Sequence, residues 1–152
     1  MDERVREHAR ILVDWSTEIE EGENVVVTAS PEAHELVVAL YEEIGKRGAN
    51  PVTLYLSDEA SRAHILNYDG EFQAPEHQKA LFEETDAIIR IRSDPNLMEM
   101  SDVPGDVLAE RSRAMEPVRE EMLSKRWCLT QHPTKSYAQN AEMSLAEYKD
   151  FI

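Results

Sequence analysis

The sequence predicts an α/β domain: a three-layer sandwich around a small, mostly parallel four-stranded sheet of Rossmann-like shape, with helices on both faces. Three observations carry this. Helix-like and strand-like segments alternate along all 152 residues, with no repeat, low-complexity stretch or Gly/Ser linker between them. The length suits one domain of roughly 100–150 residues. With 41% hydrophobic residues, the chain can build a core. Strands joined by helical crossovers run parallel through right-handed connections, and the expected strand order is 2-1-3-4.

The elements follow in order. Val5, Ala9, Leu12, Trp15 and Ile19 recur at helical spacing, predicting an amphipathic helix that the Glu20-Glu21-Gly22-Glu23 turn ends. Val25-Val26-Val27 then predicts a buried strand. Ser30 is placed to cap a helix, Pro31 suits its first position, and Leu36, Val37, Leu40, Tyr41 and Ile44 form its apolar stripe until Gly48 stops it. Val52-Thr53-Leu54-Tyr55-Leu56 is the second strand, after which Ser57 caps a short helix and Pro75 opens another. Residues 87–92 form the third strand, which Asp94-Pro95 breaks. From Pro104 a helical stretch carries Val107, Leu108, Met115, Val118 and Met122, and Pro117 should divide it. Trp127-Cys128-Leu129-Thr130 is the fourth strand, closed by His132-Pro133-Thr134.

Ser144-Leu145-Ala146-Glu147 has capping-box spacing, so a last helix starts there and carries Tyr148, Phe151 and Ile152. About two turns is short against a mean of roughly 11–12 residues. With apolar residues at the very end, this predicts that residues 1–152 are the N-terminal domain of a longer protein.

The charge excludes whole classes of partner. With 16 Lys and Arg against 31 Asp and Glu, the net charge is −15. Such a surface is repelled by nucleic-acid phosphates and anionic lipid headgroups, so neither nucleic acid nor a membrane is an expected partner. The acids are spread along the chain, and the basic residues are mostly arginine, a pattern that resembles a halophilic protein. A strongly charged surface stays soluble where salt screens its self-repulsion. No apolar run approaches the roughly 18 residues of a membrane span, and Met1-Asp2-Glu3-Arg4 lacks the regions of a signal peptide, so a cytoplasmic location is expected. Cys128 is the single cysteine, which excludes an intrachain disulfide and a cysteine-based zinc site. It is expected as a buried strand residue.

The residues themselves nominate no catalytic, cofactor-binding or metal-ligating group. Histidines stand at positions 8, 34, 64, 77 and 132. His34-Glu35 would begin a zincin helix only with a second histidine at 38, where Val38 stands, and Glu76-His77 fares no better. No G-x-S-x-G elbow, GxGxxG turn or P-loop occurs. At Ser30-Pro31-Glu32 the proline removes one anion-binding amide and the glutamate already answers the helix dipole. Ligands of open parallel sheets gather at the carboxyl ends of the strands. Those ends present Ser30, Ser57, Asp58, Ser93, Asp94, His132 and Thr134, which capping and turn formation also explain. Arg90 and Arg92 alternate onto one face of the third strand, consistent with an exposed face, an internal ion pair or contact with a further domain.

Several segments carry a resemblance. They are Asp94-Pro95-Asn96-Leu97, the Trp127 strand leading to Pro133-Thr134, and Ala138-Gln139-x-Ala141-x-Met143-Ser144-Leu145-x-Glu147-Tyr148-x-Asp150-Phe151. With Gly22-Glu23-Asn24-Val25-Val26-Val27 and Gly48-Ala49-Asn50-Pro51-Val52, they resemble the N-terminal domain of the aminopeptidase T / aminopeptidase S family of metallo-aminopeptidases, also called thermophilic metalloproteases. The resemblance covers essentially the whole chain. Glu142 departs from it, since a small residue is expected there, and this bears on a local turn.

The resemblance implies a hydrolase that removes N-terminal amino acids from peptides, using two divalent metal ions (zinc, cobalt or similar) held by Glu, His and Asp of a C-terminal domain. No residue of this chain matches those ligands. It further implies that this N-terminal domain helps to enclose the active-site cavity and contributes to a homodimer. The chain by itself is therefore expected to be inactive, limiting access to peptides while the missing domain hydrolyses them. The competing expectations are a stand-alone α/β module that binds a small molecule or a protein partner, and a degenerate relative that acts only by dimerising.

Overall fold

The structure, a computed structural model, describes residues 1–93, 98–133, 141 and 143–151. Strands β1 (Asn24–Ala29), β2 (Asn50–Tyr55), β3 (Ala87–Arg92) and β4 (Arg126–Gln131) form one all-parallel sheet in the order β2-β1-β3-β4, as expected. Helices α1 (Glu3–Ile11), α2 (His34–Lys46), α3 (Asp58–Asn67), α4 (Glu76–Glu83), α5 (Gly105–Ala114), α6 (Glu116–Leu123) and α7 (Leu145–Phe151) connect and flank it.

The pleat divides the core in two. Val25, Val27 and Ala29 of β1, with Ala87, Ile89 and Ile91 of β3, pack against Ala9 of α1 and Leu36, Leu40 and Ile44 of α2. Val26 and Ile88 point the other way and meet Phe82 of α4 and Val118 of α6. The central strands are apolar at consecutive positions because helices cover both faces. Each fully buried Val, Leu or Ile contributes about 1.5–3 kcal/mol. The edge strands are covered on fewer sides, and Tyr55 of β2 and Leu129 of β4 are exposed.

Local chemistry sets the ends of the helices. The Asp2 carboxylate accepts from the Arg4 backbone N at 2.9 Å and caps α1. The Ser57 hydroxyl likewise accepts from Ala60 N at 3.1 Å at the start of α3. Beyond α2, Gly48 takes φ +70°, and its carbonyl accepts from Gly22 N at 2.9 Å. A β-carbon at Gly48 would stand 3.2 Å from Glu21 Cγ, so glycine serves both the turn and the close approach. Met115 separates α5 from α6, and Pro117 lies in the first turn of α6, the division its sequence position predicts. At α7 the Ser144 hydroxyl accepts from Glu147 N at 3.2 Å, and the Glu147 carboxylate faces that same hydroxyl.

Three local expectations are corrected. The first helix does not carry Trp15 into the core: α1 gives way to a π-helical turn, Leu12–Ser16, in which Thr17 N donates to Leu12 O at 3.1 Å. The wider turn shifts the phase of the helix, so Val13 is fully buried while Trp15 is 80% exposed. Ser30 precedes Pro31 as expected, but its hydroxyl does not cap a helix. Its Oγ lies 2.7 Å from both the carbonyl O and the Oγ of Ser93, and a 3-10 turn, Pro31–Ala33, leads into α2. Cys128 is only half-buried, because β4 is an edge strand. The expectations placed on Asp94-Pro95-Asn96-Leu97, Thr134, Ala138, Gln139, Glu142 and Ile152, and on the side chains of Tyr148 and Phe151, lie outside the described residues.

Candidate functional site

The carboxyl end of β4, one face of α1, Glu35 of α2 and Lys149 of α7 line a cleft of about 620 Å³. Its position agrees with the rule that parallel sheets bind ligands at their strand ends. Parallel pairing of β4 with β3 carries Thr130 to the cleft, and His132 follows at once, its backbone N donating to Arg92 O at 2.8 Å. His132 is only 8% exposed. His8, one helical turn beyond Arg4 on α1, places Nε2 2.6 Å from Thr130 Oγ1.

Arg4 holds the rim. Its guanidinium donates to Asp2 at 3.1 Å and to Asp150 of α7 at 2.8 Å, and it reaches Lys149 O at 3.5 Å. Asp2 N donates to Glu35 Oε1 at 3.2 Å and ties the start of α1 to α2. Burial keeps both histidines below the ordinary histidine pKa, favouring the neutral rings. Lys149 and His8 push His132 further down, while Glu35 and Glu32 oppose them. The Asp2 carboxyl is lowered by its bond to Arg4.

This arrangement assembles residues that the sequence treated separately. His132 and Glu35 meet at the cleft, whereas His34 lies on the neighbouring exposed turn of α2, beside Val37 and Tyr41. His64 meets the edge of Tyr68, and His77 is exposed on α4. Ser30 and Ser93 join each other, and Ser57 serves as a cap. The Arg90 guanidinium lies over the Trp127 ring, 5.7 Å from its centroid, so that arginine meets an aromatic face on the neighbouring strand. The cleft roles of His8 and Lys149, and the reach of Arg4 to Asp150, had no local signal. His8 and Thr130 are 122 residues apart, and Arg4 and Asp150 are 146 apart.

Among the described residues, no group of three or more His, Cys, Asp or Glu side chains is placed to hold a metal ion. Burial pushes the Cys128 thiol up to about 11, so it stays protonated and unreactive at neutral pH. No helix among the described residues is long and apolar enough to cross a membrane.

Among curated proteins none matches the chain. The structure of wild-type AmpT from Thermus thermophilus matches with a TM-score of 0.70 at 21% sequence identity, over 86% of this chain and 36% of that one. This likeness concerns the fold, and the chain spans little more than a third of that protein. The family profile of thermophilic metalloproteases (M29) matches residues 1–152. The chain belongs to the thermophilic metalloprotease family.

Proposed function

We propose that this chain is the N-terminal domain of a metal-dependent aminopeptidase and that it shapes access to the active site without carrying catalysis. The observation that supports this most is the family match along residues 1–152, together with a span of 36% of the AmpT chain. The two divalent ions implied for such an enzyme find no fitting donor set among the described residues, so no hydrolytic step is assigned to them. In this reading the metal ligands and the hydrolytic step belong to a C-terminal domain, and zinc or cobalt would supply Lewis-acid chemistry there. The same reading makes this domain a wall of the cavity and part of a homodimer.

The test is release of N-terminal amino acids from peptides, with added divalent metal and molar salt. It compares this chain with a polypeptide that continues into the downstream sequence of its gene. Activity confined to the longer polypeptide, abolished by a chelator, is the expected result. Chelator-sensitive turnover by residues 1–152 alone would overturn the reading.

A further inference from the structure

The α1–β4–α7 cleft presents charges of both signs beside His132 that form no ion pair with a described residue. Most of its charged side chains are neutralised in place, Arg4 by Asp2 and Asp150 and Glu7 by Arg10. Glu35 and Lys149 form no ion pair with any described residue. Glu35 accepts one hydrogen bond, from Asp2 N to Oε1, and Lys149 is engaged through its backbone carbonyl rather than its ammonium. Glu35, His132 and Lys149 line the same cleft, where Lys149 also acts on the Asp2 carboxylate, so charges of both signs border it. Val5, Ile11 and Pro133 add an apolar wall.

A ligand here must answer both charges together. A net anion is disfavoured by the −15 charge of the chain, and a net cation leaves Lys149 opposed. A molecule carrying an ammonium and a carboxylate is neutral overall and meets both. A volume of about 620 Å³ lies within the range of small-molecule sites.

We infer that the cleft binds a small zwitterion with an apolar side chain, a free α-amino acid or a short peptide. Glu35 and the neutral His132 ring receive its ammonium, and Lys149 receives its carboxylate. If the peptidase reading holds, this is a product site, and that clause falls with the reading. Binding itself needs neither metal nor hydrolysis.

Calorimetric titration of the full chain tests it, at neutral pH in the presence of a chelator. The probes are leucine, leucyl-leucine, leucinamide without the carboxylate, and N-acetylleucine without the ammonium. Leucine or leucyl-leucine is expected to bind saturably, the tighter of the two naming the source. Leucinamide and N-acetylleucine should each bind about tenfold more weakly, the effect of losing one charge-assisted hydrogen bond. Glu35→Gln should weaken leucine and leucinamide but leave N-acetylleucine unchanged. Lys149→Met should weaken leucine and N-acetylleucine but leave leucinamide unchanged. Both residues are exposed, so the variants should keep the parent melting temperature. Equal affinity for all four probes, or no binding of leucine and leucyl-leucine, overturns the inference.

Discussion

His8 Nε2 and Thr130 Oγ1 lie 2.6 Å apart and join α1 to the end of β4. The bond fixes the helix that walls the cleft to the strand that floors it, across an edge strand with little other cover. Thr130→Val keeps the shape and removes the hydroxyl. It should cost about 1 kcal/mol, seen as a lower urea midpoint at unchanged slope. A variant as stable as the parent would show that the contact contributes nothing.

The two histidines make stability depend on pH in one direction. Burial lowers their pKa values in the folded chain below the ordinary value of about 6.5, so the unfolded chain binds more protons as the pH falls. The stabilisation is present above about pH 6.5 and is lost as the pH drops through the lowered folded values. The melting temperature should therefore fall between neutral pH and about pH 5, and less steeply in a His8→Gln/His132→Gln variant. Identical pH profiles for the two proteins would contradict this.

The π-helical turn after α1 separates two apolar residues by fate. Ile89→Ala, in the sheet core, should cost about 2–5 kcal/mol, whereas Trp15→Ala should stay within about 0.5 kcal/mol. Denaturant unfolding of the two variants measures both. A large loss at Trp15 would mean that its ring is packed.

Those two residues also mark how far the sequence could be read. The sheet order, though expected as 2-1-3-4, is set by long-range pairing that no local pattern encodes, whereas the apolar central strands and the Pro117 division were legible because hydrophobic runs and proline chemistry are local signals. The burial of Val13 in place of Trp15 was not, because a single i→i+5 turn changes the phase without changing the composition. Ser30 looked like a helix cap, yet its partner Ser93 stands 63 residues away, on the neighbouring strand. The cleft was the least legible part. Its polar residues are supplied by α1, α2, β4 and α7, and only the tertiary fold brings Glu35, His132 and Lys149 to one place.

The charge of −15 predicts a salt requirement. Asp and Glu repel one another across the surface until salt shortens the Debye length to about 3 Å at 1 M. The melting temperature should rise between dilute and molar potassium chloride. A flat or falling trend would remove the halophilic reading.

The central claim is that this domain works within a longer metallo-aminopeptidase. The mass of the native polypeptide in its source cells, detected with an antibody against this domain, tests that claim directly. The account predicts a product substantially heavier than 17.4 kDa, and a product of 17.4 kDa would contradict it.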